Sequence, residues 1–223
     1  MSTSVICTVD VVLLTLHDNA LHVALFKRDR EPFAGVWSLP GGYVHAQGDA
    51  DAHDAAQRVL REKTGLEGVY IEQLGTFSGP ARDPRGWSVS IAHYALVPLS
   101  ALAASPAMCL VPVASLKGLA FDHKAIIDLA VSRVRNKSTY SSLGVFLCPD
   151  VFTLPQLQQV YECLLGEPIN KVSFRRKLAE LDILEELPGR LEQGRSNRPA
   201  QLYRLKPSFH QRLALTSRVF NPD

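Results

Sequence analysis

The residues whose types and spacing could perform chemistry lie around a glycine pair and along one helix. Gly41 and Gly42 are followed, after a spacer, by the segment 58–66. One pattern for cleaving diphosphates with Mg²⁺ is Gly-x5-Glu-x7-Arg-Glu-apolar-x-Glu-Glu-x-Gly, in which carboxylates three and four residues apart share a helix face. The spacing from Gly42 to Arg58 is two residues longer than this pattern, and its three helical glutamate positions read Val59, Glu62 and Lys63. The sequence therefore predicts that the pocket is kept and metal-dependent catalysis is lost, with Glu62 as a vestige.

Acidic residues near the start of this helix leave a second interpretation open. Asp49, Asp51 and Asp54 could substitute for the missing metal ligands, or they could be N-terminal charges that the helix dipole favours. We favour the helix-dipole interpretation. A divergent hydrolase would need Glu62 together with further ligands such as Asp49, Asp54 or Glu72.

Cationic residues of the first half are suited to bind phosphate. Lys27 and Arg28 follow a predicted strand, and Arg82 and Arg85 occupy a tight turn. Arginine presents a fork of donors that matches phosphate oxygens, although turn arginines are often simply exposed. Trp37 could stack on a base or belong partly to the core. The predicted ligand-binding residues are Lys27, Arg28, Trp37, Gly41, Gly42, Arg82 and Arg85.

The elements that must position these residues form a mixed sheet in the first half. A helix from about Asp51 to Thr64 has apolar residues at helical spacing, and Gly65 fits its C-terminal stop. Four short runs that mix apolar and polar residues between turn signals predict strands, namely Val5–Leu16, Leu21–Lys27, Val69–Phe77 and Trp87–Val97. The fold class is therefore predicted to be α+β, a mixed sheet with packed helices.

The second half predicts a winged helix-turn-helix. Asp122 can cap a first helix, Thr153 and Gln156 make the capping box of a second, and Asn170 can cap a third that runs from Lys171 to Leu181. Two apolar runs then flank a polar loop that contains Arg190, Arg195 and Arg198. The order of helix, turn, basic helix and hairpin predicts a second domain at residues 139–223, after a first domain at residues 1–138.

The third of these helices and its wing carry the residue types that bind DNA. A recognition helix needs cationic and amide side chains near its N-terminus to meet phosphates and base edges. The helix alone could be a solvated basic face, but the turn before it and the arginines of the wing favour DNA. Its cations are predicted to lie towards solvent. The predicted DNA-binding residues are Asn170, Lys171, Ser173, Arg175, Arg176, Lys177, Arg195 and Arg198.

Charge and composition narrow the class of protein. Residues 1–123 carry 9 Lys+Arg and 12 Asp+Glu, a net −3, whereas residues 124–223 carry 15 and 10, a net +5. The basic second half suits a nucleic acid partner. No apolar run approaches the roughly 20 residues of a membrane span, and Asp10 inside the first apolar run argues against a signal peptide. Cytoplasmic reduced thiols are expected of the scattered cysteines Cys7, Cys109, Cys148 and Cys163.

Taken together, these segments resemble the NrtR family of Nudix-related transcriptional regulators. The Nudix-like half is recognised in Leu39-Pro40-Gly41-Gly42, Arg61–Leu66, Glu72–Phe77 and Arg82–Gly86, and the winged-helix half in Phe152–Leu154, Leu157–Glu162, Phe174–Leu178 and Arg198–Arg204. The resemblance covers almost the whole chain in order. Departures at Gly75 and in Ser78-Gly79-Pro80 lie near the expected ligand site.

The resemblance implies a bacterial homodimer that represses genes of NAD metabolism and releases its DNA operator when ADP-ribose or a related nucleotide binds. Phe174–Leu178 would belong to the recognition helix, and no cofactor, metal or membrane is implied. Two alternatives remain open, a divergent Mg²⁺-dependent hydrolase of ADP-ribose or another nucleoside diphosphate, and a non-catalytic nucleotide sensor that binds a protein partner. The sequence does not identify the operator or the regulated genes.

Overall fold

The large sheet is organised around one long central strand. A computed structural model describes residues 4–102, 107–192 and 199–216. The central strand β1 (Ile6–His17) pairs in parallel with β6 (Ser88–Leu96) and antiparallel with β2 (Ala20–Lys27). The sheet runs in the order β3-β2-β1-β6-β5, with β4 paired to β1 and β7 to β2. The remaining strands are β3 (Trp37–Ser38), β4 (Gly41–Tyr43), β5 (Ile71–Gly79) and β7 (Met108–Pro112).

Helices cover both faces of β1. Alternate residues of a strand point to opposite faces, so Val9, Val11 and Leu13 pack with helix α1 (Ala52–Thr64). Val12 and Leu14 belong to the core that contains helix α2 (His123–Ser138). Burial on both faces explains why residues 11–14 are all apolar. The mixed α+β sheet with packed helices is confirmed.

Asp51 and Asp54 fix the start of α1. The Asp51 carboxylate accepts a hydrogen bond from the backbone N–H of Asp54 at 2.8 Å, and the Asp54 carboxylate accepts from the N–H of Ala50 at 3.0 Å. Gly65 ends the helix in the left-handed conformation at φ +72°. Asp51 therefore satisfies an orphan donor of the helix N-terminus, and Asp54 binds the backbone just before the cap. Both contacts support the helix-dipole interpretation over metal ligation.

Helix α2 begins next to Asp122, which Arg82 binds, and ends in the core of the second half. Near its C-terminus, Lys137 donates to both carboxylate oxygens of Glu72 at 2.7 and 2.5 Å. Tyr70 stacks on Phe146 with ring centroids 4.6 Å apart and an interplanar angle of 6°. One hydrophobic cluster continues from the sheet through α2 to Phe174. Because the core crosses it, the boundary between residues 138 and 139 stays a prediction.

The second half has the predicted order of a winged helix-turn-helix. Helices α3 (Leu154–Leu165) and α4 (Lys171–Leu181) follow a two-residue strand, β8 (Phe152–Thr153). The capping box of α3 is present, since Thr153 Oγ1 accepts from the N–H of Gln156 and Gln156 Oε1 accepts from the N–H of Thr153. The hairpin of β9 (Leu184–Glu192) and β10 (Ala200–Leu205) forms the wing, with β10 between β8 and β9.

Two expectations about side chains are wrong. Lys177 was expected to face solvent, but its residue is only 5 % exposed, because it shares the inward face of α4 with Phe174 and Leu178 and a lysine stem can pack along apolar surface. Asp122 occupies the N-cap position of α2 without making a capping hydrogen bond, because its carboxylate is held by an arginine of the first half. Of the wing arginines, Arg195 and Arg198 lie outside the described residues.

No helix within residues 4–102, 107–192 and 199–216 is both long enough and apolar enough to cross a membrane.

Candidate functional site: a cationic cavity and a basic helix

The first candidate site is a cavity of about 630 Å³ beside β4 and one face of α1. Six of the seven predicted ligand-binding residues line it, namely Lys27, Arg28, Gly41, Gly42, Arg82 and Arg85. Trp37 does not, which corrects the prediction for this residue. It packs instead against the hydrophobic core, and its carbonyl accepts a hydrogen bond from the N–H of Ala120 at 3.0 Å.

The glycine pair is required by close packing beneath the cavity. A Cβ atom at Gly41 would lie 2.1 Å from Oδ1 of Asp10, and a Cβ atom at Gly42 would lie 3.1 Å from Cγ2 of Val59. The close approach of Gly41 to Asp10 is set by the backbone, since the two residues are paired between strands β4 and β1. The glycines therefore place β4 directly over a buried carboxylate and over the face of α1.

The residues at the metal positions do not fit Mg²⁺, which requires several oxygen ligands. Val59 is 2 % exposed and belongs to the core. The Asp49 carboxylate accepts hydrogen bonds from Nε and Nη2 of Arg58 at 2.7 and 2.9 Å, and Arg58 holds the pKa of Asp49 well below its usual range. Glu62 faces the cavity beside the ammonium-bearing Lys63.

The further acids considered as metal ligands are engaged elsewhere. Asp54 accepts a hydrogen bond from the N–H of Ala50, and Glu72 is bound by Lys137 and Tyr70. Among the described residues, no group of three or more His, Cys, Asp or Glu side chains could hold a metal ion.

Two of the predicted ligand-binding arginines, Arg82 and Arg85, already have carboxylate partners. Arg82 is 8 % exposed in its side chain and donates from Nε and Nη2 to the two oxygens of Asp122 at 3.0 and 2.9 Å. Arg85 donates to both oxygens of Asp83 at 3.0 and 2.7 Å, and to the hydroxyl of Tyr43 at 2.6 Å. Hydrogen bonds from Arg85 hold the pKa of Asp83 below its ordinary value. A phosphate would compete with these carboxylates for the same donors.

Arg28 differs from Arg82 and Arg85 in the partners of its guanidinium. Its Nε donates to the carbonyl of Pro32 at 2.8 Å, and its guanidinium lies 4.8 Å from the ring centroid of Phe121. Burial and the positive charge of Arg85 lower the pKa of Arg28 below its ordinary value. In the part of the chain that the structure describes, Arg28 forms no ion pair. A bound anion would relieve this unfavourable positive charge.

A buried polar network below the cavity was missed by the sequence reasoning. Ser90 donates to Asp10 at 2.6 Å. The N–H of Leu39 donates to Nδ1 of His123 at 2.9 Å, so the ring proton is on Nε2, which faces Oδ1 of Asp10 at 3.5 Å. Burial alone would raise the pKa of Asp10, but His123, Ser90 and Arg82 more than compensate and hold it below its usual value.

The available signal for this network was an acidic residue inside an apolar strand, since a buried carboxylate needs partners. Its partners Arg82, Ser90 and His123 lie 72, 80 and 113 positions further along the chain, so the sequence alone could not name them. His123 is the first residue of α2. The network therefore connects the wall of the cavity to the helix that reaches the second half.

The second candidate site is the exposed face of α4. Asn170 caps this helix, because its Oδ1 accepts hydrogen bonds from the N–H groups of Val172 and Ser173 at 3.1 and 3.0 Å. Lys171, Arg175 and Arg176 are exposed, and Ser173 is half-buried. A capped helix with exposed cations near its N-terminus has the form of a DNA recognition helix.

Comparison with known proteins places both halves in one family. The NUDIX domain matches residues 8–128, and the NrtR DNA-binding winged helix domain matches residues 144–205. The chain is 36 % identical over 207 residues to the ADPR responsive transcriptional repressor NtrR of Acinetobacter baylyi, covering 90 % of this chain and 82 % of that protein.

Solved structures agree with this assignment. NrtR of Shewanella oneidensis in complex with a 27mer DNA superposes with a TM-score of 0.89 at 39 % identity, over 96 % of this chain and 99 % of that one. The NUDIX domain of the same NrtR in complex with ADP ribose matches with a TM-score of 0.55 at 37 % identity, over 60 % of this chain and 90 % of that one.

The fold and the two sites define a Nudix-like domain joined to a winged-helix DNA-binding domain. The chain belongs to the NrtR family of Nudix-related transcriptional regulators.

Proposed function

We propose that this protein is a transcriptional repressor of NAD-metabolism genes that ADP-ribose, or a closely related nucleotide, releases from DNA. It acts as a cytoplasmic homodimer, binds its operator through α4 and the wing, and does not hydrolyse the nucleotide. The names of two relatives support the effector, the ADPR responsive repressor of Acinetobacter baylyi and the ADP ribose complex of the Shewanella oneidensis NUDIX domain.

The observation that carries the proposal is the course of α2. This helix begins with His123, which is hydrogen-bonded to the cavity wall at Leu39. It ends with Lys137 and Ser138, beside the core that contains the DNA-binding helices. A shift of its first turn would therefore be transmitted to the winged helix through a packed element with few alternative arrangements.

Arg82 and Asp122 provide the link between ligand and helix. The diphosphate of ADP-ribose would compete with Asp122 for the Nε and Nη2 donors of Arg82, and Asp122 precedes α2 directly. Release of DNA requires that the nucleotide bind the DNA-incompetent arrangement more tightly than the competent one. The exchange of one carboxylate for a phosphate supplies such a difference.

A divergent hydrolase remains the second candidate. A segment of 69 residues is 41 % identical to the ADP-ribose pyrophosphatase of Methanocaldococcus jannaschii, although this covers 31 % of the chain and 40 % of that enzyme. Glu62 lines the cavity and would have to carry the reaction. Mg²⁺-dependent cleavage of ADP-ribose that Glu62→Gln abolishes would establish this activity, whereas cleavage that persists in Glu62→Gln would point to a contaminant.

The test of the proposed function is a fluorescence anisotropy titration with DNA from upstream of the protein's own and neighbouring genes, at fixed salt because phosphate contacts make affinity salt-dependent. We expect specific binding that ADP-ribose reverses. Arg175→Ala should weaken DNA binding and leave nucleotide binding unchanged, whereas Arg61→Ala, an exposed cation of α1, should change neither. Specific binding that ADP-ribose does not alter would contradict the proposed effector, and loss of nucleotide binding in Arg175→Ala would contradict the separation of the two sites.

A further inference from the structure

The exposed face of α4 carries apolar side chains as well as cations. Val172 is 77 % exposed, more than any other large apolar side chain among the described residues. Phe174, Lys177 and Leu178 form the buried face of the helix, so the outward stripe consists of Val172, Arg175, Arg176 and Ala179. Two small apolar side chains therefore flank two arginines on the surface that faces away from the protein.

A single exposed valine needs no explanation by itself, but the position of Val172 restricts what it can do. It is the second residue of α4, in the first turn, where recognition helices meet base edges. Its backbone N–H is already bound by the Asn170 cap at 3.1 Å, so it is not free to donate to a phosphate. The side chain offers only methyl groups.

We propose that Val172 reads a thymine of the operator by apolar contact with the 5-methyl group of the base. In the major groove, thymine alone presents a methyl group, and small apolar side chains are its usual partners. Arg175 and Arg176, one turn along the same stripe, hold the helix against the phosphates or the edges of neighbouring bases. This inference rests on the proposed function, because it assigns a base to the helix that the function requires.

The test replaces thymine by deoxyuridine, which keeps the Watson–Crick pair and removes only the methyl group. The probe is the tightest duplex that the full-length protein selects from a random library of 27 base pairs, the length bound by the Shewanella oneidensis relative. Each thymine is replaced in turn. We expect one replacement in each recognised half-site to weaken binding about fourfold, because burying one methyl-sized group contributes about 0.8 kcal/mol.

Val172→Ala decides which side chain makes the contact. Alanine is the better helix former and the site is exposed, so the variant should fold like the parent protein. For Val172→Ala, the sensitive thymine should lose most of its fourfold effect, because the truncation removes both valine methyl groups that make the contact. Arg176→Ala is the control. It should weaken binding to every duplex and keep the deoxyuridine profile of the parent.

The possible failures are distinguishable. A Val172→Ala profile identical to that of the parent, or a parent that is insensitive to every replacement, would overturn the reading by Val172 and leave the proposed function standing. Selection of no duplex that binds above the non-specific background would overturn the proposed function, and the inference with it.

Discussion

Arg28 is the cavity residue whose removal should most directly weaken nucleotide binding. Its guanidinium gives up no carboxylate when an anion binds, whereas Arg82 and Arg85 must exchange Asp122 and Asp83. The full value of a charge-assisted hydrogen bond, about 1.5–3 kcal/mol, is therefore available to the diphosphate. Arg28→Ala should weaken ADP-ribose binding by roughly 10- to 150-fold.

The same substitution should change stability much less. It removes one hydrogen bond to Pro32 and the contact with the ring of Phe121, each worth about 1 kcal/mol or less. It also removes the burial of a positive charge and the repulsion of that charge by Arg85, which together lower the pKa of Arg28. These contributions oppose one another, so the melting temperature of the free protein should shift by no more than a few degrees.

The assay is isothermal titration calorimetry with ADP-ribose, paired with thermal unfolding of the free protein. Arg61→Ala is the matched control, since Arg61 is an exposed arginine of α1 that does not line the cavity. Arg28→Lys should be intermediate, because lysine keeps the charge and loses the fork of donors. An Arg28→Ala variant that binds ADP-ribose like Arg61→Ala would refute the assignment of the unpaired guanidinium to the effector.

For three further substitutions, the structure gives the direction of the expected change in binding or stability. Asp122→Asn should strengthen ADP-ribose binding by up to about tenfold in the same calorimetric assay, because the carboxylate that competes with the diphosphate for Arg82 loses its charge. Weaker or unchanged binding would contradict the exchange of Asp122 for a phosphate on Arg82. Gly41→Ala should lower the free energy of unfolding by about 1–3 kcal/mol in urea, since its Cβ meets a carboxylate oxygen at 2.1 Å, whereas Gly48→Ala, with its nearest contact at 3.8 Å, should not. Glu72 has a lowered pKa, burial being outweighed by its lysine and tyrosine partners, so its contribution to stability is present above the unfolded value of 4.5 and is lost as the pH falls below it. Glu72→Gln should therefore flatten the acid side of the stability profile, and an unchanged slope there would contradict this pairing.

The fold was largely predictable because its signals are local. Apolar runs between turn signals located the long strands, and the Thr153–Gln156 capping box located α3. The short strands β3, β4 and β7 were missed, because two to five residues on a sheet carry little periodicity and are defined by their partners. The α+β sheet and the winged helix are confirmed as expected from the sequence.

The candidate site was only partly predictable, because its geometry depends on long-range pairs. A local rule made Asp122 a helix cap, but Arg82, 40 residues earlier, holds its carboxylate in two charge-assisted bonds. The pairing of Asp49 with Arg58 was also missed, because it joins a loop residue to a helix residue nine positions later. Lys177 was expected to be exposed because it is a lysine, but it is buried because it lies on the inward face of α4. The individual DNA contacts assigned to α4 and the wing stay predictions.

The measurement that tests the central claim most directly is the affinity of ADP-ribose for the protein with and without saturating selected duplex, at one salt concentration. Coupling between two sites is reciprocal, so the factor by which ADP-ribose weakens DNA binding must equal the factor by which DNA weakens ADP-ribose binding. We expect both factors to agree, at about 5- to 150-fold for a typical coupling of 1–3 kcal/mol. Equal ADP-ribose affinities for the free and the DNA-bound protein would contradict the account that the cavity controls the winged helix through α2.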